Sequence, residues 1–138
     1  MRTPLILLAP LVLAGCVDQS ASYAIDGNEH ALIVRAEQER FWSDQVTLHV
    51  IASRLPDCQR QLALGKVPLA DLDIELFANG DDVYTLRAGE RQWQVETRGC
   101  TRLAAPAQAV TAQPLGAFHL DDSKTLVFEP AAATAAAE

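Results

Sequence analysis

Apolar and polar residues alternate along much of this 138-residue chain. Residues 45–52 and 71–77 show the alternation most clearly, since every second position there is apolar. A period of two is typical of a strand that buries one face. Comparable runs predict further strands at residues 30–35, 59–64, 83–87, 91–97 and 125–129, and one more that contains Phe118 and Leu120.

These seven or eight short strands predict an all-β, mainly antiparallel fold. The expected architecture is a small β-sandwich or barrel. Only residues 36–44 offer a helical alternative, and that segment is short enough to be a helical turn or a hairpin loop. Trp93 lies close to Cys100 and far from Cys58, so the cysteine–tryptophan spacing of an immunoglobulin domain is absent.

Residues 71–97 predict a central three-stranded antiparallel meander. Its second turn is expected at residues 89–90, and its first at residues 78–80, with a bulge that leaves Gly80 left-handed. A two-residue first turn would set an acidic strand face against an apolar one, so burial favours the bulged register. The expected partners, all on one buried face, are Leu72 with Leu86, Ile74 with Tyr84, Leu86 with Trp93 and Tyr84 with Val95.

The N-terminus combines a basic residue, an apolar run and a cysteine after small residues. Arg2 precedes the run at residues 4–13, which is followed by Ala14-Gly15-Cys16. About ten residues span only ~15 Å as a helix, so this run is too short to cross the ~30 Å of bilayer hydrocarbon. This segment resembles the signal peptide and lipobox of bacterial lipoproteins. The resemblance implies that residues 1–15 are cleaved and that Cys16 carries lipid, which anchors the chain to a membrane.

The resemblance also implies a location. In enterobacterial lipoproteins an aspartate after the lipidated cysteine implies retention in the inner membrane, and here that position is Val17. We therefore expect a cell-envelope protein on the outer membrane, facing the periplasm. The mature chain is expected to have a flexible tether at residues 16–24, a single β domain at 25–130 and a disordered alanine-rich tail at 131–138.

A lipid on Cys16 leaves two of the three cysteines, Cys58 and Cys100, as a pair. An oxidising compartment favours a disulfide between them. A redox or metal pair is the alternative, but the chain has no C-x-x-C motif and no histidine at ligand spacing from either cysteine.

The charge of the chain argues against nucleic-acid binding. The formal net charge is −7, and removal of Arg2 with the signal peptide makes it −8. A protein that binds phosphate backbones needs a basic surface. Asp71, Asp73 and Glu75 share one strand face and could offer oxygens to Ca²⁺, but a solvated face is the simpler interpretation.

No motif for catalysis or cofactor binding is present. His30, His49 and His119 are scattered without metal-ligand spacing, and no nucleophile or phosphate-binding motif occurs. We therefore expect neither a cofactor nor an enzyme. The expected function is a binding or assembly-support module with an envelope protein as partner. A small-ligand or enzyme-inhibitor module and a small hydrolase are alternatives. Trp42 and Phe77 are the candidate contact residues.

Overall fold

The computed structural model describes residues 18–40, 42–104 and 113–131. The prediction of an all-β fold is confirmed, because two antiparallel sheets of four and six strands pack as a small β-sandwich. The strands are β1 (Asp18–Asp26), β2 (His30–Glu37), β3 (Gln45–Arg54), β4 (Cys58–Pro68), β5 (Asp73–Gly80), β6 (Val83–Ala88), β7 (Arg91–Glu96), β8 (Thr101–Leu103), β9 (Gln113–Leu120) and β10 (Leu126–Pro130).

The first sheet is a meander with the order β1-β2-β3-β4, and the second has the order β10-β9-β5-β6-β7-β8. A short 3-10 helix, Leu69–Asp71, carries the chain from the first sheet to the second. At the margins of the sandwich β1 lies beside β10, and β4 lies beside β8. The sheets therefore approach each other along both sides.

Burial follows the alternation seen in the sequence. Along β3, Val46, Leu48 and Val50 are fully buried, whereas Thr47 and His49 between them face outward and are partly exposed. Successive side chains of a strand point to opposite faces, so one apolar set per strand meets the opposite sheet. The core consists of these inward-facing sets from both sheets.

The second hairpin of the meander forms as predicted. Leu86 pairs with Trp93 and Tyr84 pairs with Val95, with a two-residue turn between Ala88 and Arg91. The predicted apolar face is also buried, and its members are Leu72, Ile74, Tyr84, Leu86, Trp93 and Val95.

The predicted partners across the first hairpin are wrong by four residues. Leu86 pairs with Leu76 rather than Leu72, and Tyr84 pairs with Ala78 rather than Ile74. A bulge is present, as predicted, between Ala78 and Gly80. A shift by an even number keeps every side chain on its predicted face, so burial alone could not select between the two registers.

The turn of this hairpin is Asp81-Asp82 instead of residues 78–80. Both aspartates are left-handed, with φ angles of 55° and 62°, a conformation that aspartate tolerates better than most residues. Asp82 is fixed there by Arg54, at 2.8 Å, and by Arg98, at 3.5 Å. These arginines come from other parts of the chain, so a local turn signal could not reveal them.

The flexible tether predicted at residues 16–24 is a second error, since Asp18–Asp26 is strand β1. It pairs with β2 from Asp18 opposite Glu37 to Asp26 opposite His30. Ala21, Tyr23 and Ile25 pack against the core, whereas the residues between them are exposed. Residues 18–24 therefore belong to the folded domain, which was predicted to begin at residue 25. Residues 16 and 17 lie outside the described part of the chain.

Three other segments complete the comparison. Residues 36–37 end β2, and the described residues that follow, 38–40 and 42–44, fit the predicted hairpin loop rather than the helical turn. The described residues form ten strands rather than the predicted seven or eight, and β1 and β8 are the two that were not predicted. Only Ala131 of the predicted tail lies within the described residues.

The predicted disulfide is present. Cys58, at the start of β4, is bonded to Cys100, and their Cα atoms are 6.0 Å apart. We call this end of the sandwich the disulfide end; it also holds the Asp81-Asp82 turn. The bond connects the two sheets, since Cys58 lies in the first and Cys100 precedes β8 of the second.

Replacing both cysteines by serine should lower the free energy of unfolding by up to about 4 kcal/mol, because the bond closes a long loop in the unfolded chain. Urea unfolding followed by circular dichroism measures the difference. Mass spectrometry without reductant should show the wild type two hydrogens lighter than its reduced form. An unchanged urea midpoint in the double variant would contradict the prediction.

Candidate functional site

A cavity of about 670 Å³ opens at the end of the sandwich opposite the disulfide. We call this the Trp42 end, and define it by the loop at residues 38–44, the crossover at residues 68–71 and the turn at residues 121–125. The cavity, here called the end cavity, is lined by Gln38, Asp44, Pro68, Leu69, Ala70, Leu120 and Lys124.

The crossover between the sheets supplies the apolar side of the end cavity. Pro68 ends β4, and the chain turns through the short 3-10 helix, in which the Leu72 N–H donates to the Leu69 carbonyl at 3.2 Å. The Leu69 N–H donates to the Asp44 carbonyl at 2.6 Å. This bond joins the crossover to the loop between β2 and β3, so the two segments form one wall.

The turn between β9 and β10 positions Lys124 on the other side. The Asp121 carboxylate accepts hydrogen bonds from the Ser123 and Thr125 N–H groups, each at 2.9 Å. The Lys124 N–H donates to the Asp121 carbonyl at 3.0 Å, and Lys124 itself is left-handed with a φ of 63°. The carboxylate of Asp121 therefore organises the turn that presents Lys124 to the cavity.

The lining suits a ligand that is largely apolar with a charged or polar group. Pro68, Leu69, Ala70 and Leu120 form an apolar surface, and Gln38, Asp44 and Lys124 add an amide and both signs of charge. Among the described residues, neither Asp44 nor Lys124 has an ion-pair partner. Small-molecule sites have this composition and volumes of roughly 300–1,000 Å³.

Trp42, the first predicted contact residue, lies in the loop at the Trp42 end. Its side chain is 67% exposed, and the Arg40 guanidinium lies 5.8 Å from its ring centroid. Gln38 and Asp44 of the same loop line the end cavity. An exposed indole thus lies in the same loop as two residues of an apolar cavity, on a segment that joins two strands.

Phe77, the second predicted contact residue, lies elsewhere and is only 8% exposed. As predicted, it is on the outer face of its sheet, where it pairs with Thr85. The Arg87 guanidinium lies 4.9 Å from its ring centroid and forms a 2.7 Å ion pair with Glu75. Phe77 therefore contributes little surface for a partner, and the structure does not bring it together with Trp42.

The three acidic residues considered as a calcium site do not form a metal-binding group: two lie on β5 and the third lies outside it. Asp71 lies in the 3-10 helix, Asp73 begins β5, and Glu75 is paired with Arg87. Within residues 18–40, 42–104 and 113–131, no group of three or more His, Cys, Asp or Glu residues is placed to hold a metal ion.

The three histidines lie on different parts of the fold. The His30 ring is 2.9 Å from the Thr97 hydroxyl at the disulfide end, and His49 lies on β3 of the first sheet. His119, on β9, contacts the Leu120 carbonyl and the Glu129 carboxylate at 3.2 and 2.8 Å. Both contacts raise the pKa of His119, the backbone carbonyl more strongly.

Comparison of the chain with known protein families, curated proteins and solved structures gave no match. Within the part of the chain that the structure describes, no helix combines the length and the apolar character needed to cross a bilayer.

At the disulfide end, one carboxylate accepts several hydrogen bonds from the loop that contains Cys100. The Glu96 carboxylate accepts hydrogen bonds from the Thr101 hydroxyl at 2.5 Å, the Gly99 N–H at 2.9 Å and the Thr101 N–H at 3.1 Å. These bonds hold the loop that contains Cys100. They favour the charged carboxylate, so they lower the pKa of Glu96, and the Thr101 hydroxyl has the largest effect.

Replacing Glu96 by glutamine should lower the free energy of unfolding at neutral pH by about 1.5 kcal/mol, because one charged acceptor serves several donors. The folded-state pKa lies below the ordinary value of 4.5. The stabilisation is therefore complete above that value and is lost as the pH falls through the folded-state pKa. Urea unfolding should therefore show a smaller difference in unfolding free energy between the wild type and Glu96→Gln at about pH 3 than at neutral pH.

Glu90→Gln is the matched control, because Glu90 lies exposed in the turn between β6 and β7. It should unfold like the wild type at both pH values. A Glu96→Gln deficit that stays constant down to the lower pH would show that the carboxylate charge is not its cause.

Proposed function

We propose that this chain is a lipid-anchored protein of the bacterial cell envelope that acts as a binding module rather than as an enzyme. The end cavity carries the proposal, since it combines an apolar lining with two charged groups that have no ion-pair partner among the described residues. The lipobox ending at Cys16 supports the anchor and the envelope location.

The geometry favours the small-ligand form of such a module. A concave site excludes water from the apolar part of a ligand, and the few polar groups at its edge set the orientation. A compact amphiphile with an acyl or aryl body fits this site better than a sugar or a nucleotide, which would leave many polar groups facing Leu69 and Leu120. Contact with an envelope protein stays a prediction.

Removing the anchor gives a direct test of the envelope proposal. Cys16→Ser should release the protein from membranes, because two acyl chains at ~0.8 kcal/mol per buried methylene account for stable attachment. Fractionation of cells, with mass spectrometry of the N-terminal peptide, measures both retention and lipid. Retention of the serine variant would mean that another part of the chain holds the membrane.

The cavity can be tested with anilinonaphthalene sulfonate, a fluorescent probe with an apolar body and one anionic group. The purified domain should bind one molecule per chain. Ala70→Phe, which places a ring in the cavity, should weaken binding by about tenfold or more, a change of ~1.4 kcal/mol. Lys124→Gln should weaken it by a smaller factor, because the exposed lysine contributes a screened charge.

Ala24→Phe is the matched control, since Ala24 is an exposed alanine on β1 outside the cavity lining. It should bind the probe like the wild type. Circular dichroism verifies that each variant keeps its fold. Equal binding by Ala70→Phe and the wild type would remove the end cavity as the site.

A further inference from the structure

We infer that the Trp42 end of the sandwich lies against the bilayer that holds Cys16, and that the end cavity takes a zwitterionic phospholipid of that bilayer. This inference rests on the proposed lipid anchor and names the ligand class of the proposed site. Four observations carry it: where β1 begins, where Trp42 lies, what lines the cavity and how charge is distributed.

The first observation is the starting point of the folded domain. Asp18 begins β1 and pairs with Glu37, the last residue of β2, and the next residue, Gln38, lines the end cavity. The chain thus enters the sandwich at the Trp42 end. Only Val17 lies between Cys16 and Asp18, so the covalent distance between these two residues is at most about 7 Å. A nine-residue tether, in contrast, would reach about 30 Å and leave the domain free to turn.

The second observation is the exposed indole at that same end. Trp42 is 67% exposed in a loop that projects beyond β2 and β3. Tryptophan is enriched at the level of lipid headgroups, where its ring meets hydrocarbon and its N–H remains hydrated. A lipid anchor on Cys16, within a few ångströms of this end, is sufficient to bring the Trp42 indole to the level of the lipid headgroups.

The third observation is the chemistry of the cavity. Leu69 and Leu120 offer an apolar surface to a lipid chain, and Asp44 and Lys124 carry the two charge signs of a zwitterionic headgroup. Lysine binds phosphate as a point charge, and a carboxylate attracts an ammonium group.

The fourth observation is the distribution of charge, which argues against an anionic surface as the attraction. The mature chain has a formal charge of −8, the value obtained from −7 without Arg2. Asp121 and Asp122 lie in the same turn as Lys124, and Glu39 forms an ion pair with Lys66, so acidic residues offset the basic ones among the described residues of this end. Apolar contact and the covalent anchor therefore hold it at the membrane, and salt should have little effect.

The experiment uses the lipidated full-length protein, reconstituted into phosphatidylcholine vesicles with brominated acyl chains. Bromine quenches tryptophan only at close range. We expect the fluorescence of Trp42 to fall by half or more relative to vesicles without bromine. Trp93 is only 2% exposed, in the core, so Trp42→Phe should remove most of the quenching. Raising the salt concentration should leave it unchanged.

The chain offers a matched control at the opposite end. Leu55 is 43% exposed in the turn between β3 and β4, and β3 separates it from the Trp42 end by ten residues, about 30 Å of strand. Leu55→Trp in a Trp42→Phe background moves the reporter to that end. It should show no quenching above the Trp93 background. Equal quenching of both reporters would overturn the orientation.

The outcomes separate this inference from the proposed function. Quenching of Trp42 alone, together with displacement of anilinonaphthalene sulfonate by short-chain phosphatidylcholine, supports both. Probe binding without quenching of Trp42 keeps the binding module and overturns its orientation on the bilayer. Displacement by an anionic lipid but not by phosphatidylcholine overturns the ligand class. A protein with no lipid on Cys16 overturns the inference and the envelope proposal together.

Discussion

The contact between the two sheets at both of their margins is the constraint on which the rest of the structure depends. At one margin Tyr23 of β1 and Phe118 of β9 pack against Phe128 of β10, with ring centroids 5.1 and 4.9 Å apart. At the other the Cys58–Cys100 bond joins the sheets. With both margins closed, turns and loops cover the two ends of the sandwich, and the end cavity lies at one of them.

Two arginines of the second sheet bind the edge strand β4 at the margin that contains the disulfide. Arg102 donates to the Ala63 carbonyl at 2.9 Å, and Arg91 donates to the Leu64 carbonyl at 3.4 Å and to that of Lys66. These carbonyls belong to β4, an edge strand whose unpaired backbone groups would otherwise be open to pairing with another chain. Side chains of the second sheet thus take the place of a missing neighbour, which favours a self-contained domain.

The sequence predicted the fold correctly where alternating apolar residues form a buried face. The prediction failed where residues distant in the chain decide the geometry. Leu86 and Trp93 could be paired because a tight turn fixes its own register. Leu76 pairs with Leu86 because the turn lies at Asp81-Asp82. Asp82 in that turn forms ion pairs with Arg54 of β3 and with Arg98 of the loop between β7 and β8, neither of which a local turn signal includes. The residues that line the end cavity come from separate connections and meet only in the folded protein. A single sequence could therefore suggest Trp42, in one of the loops at this end, but none of the lining residues.

The position of β1 beside β10 has a consequence for how the chain reaches its final form. The first and last strands of the described domain meet at one margin, so a chain that emerges from its N-terminus cannot close the sandwich until its final strand is available. Until then Tyr23 has no aromatic partner on β10, and the inward face of β1 stays uncovered at that margin. The sandwich therefore stays incomplete while the chain is being synthesised, and a chain truncated before Phe128 should be prone to aggregation and proteolysis.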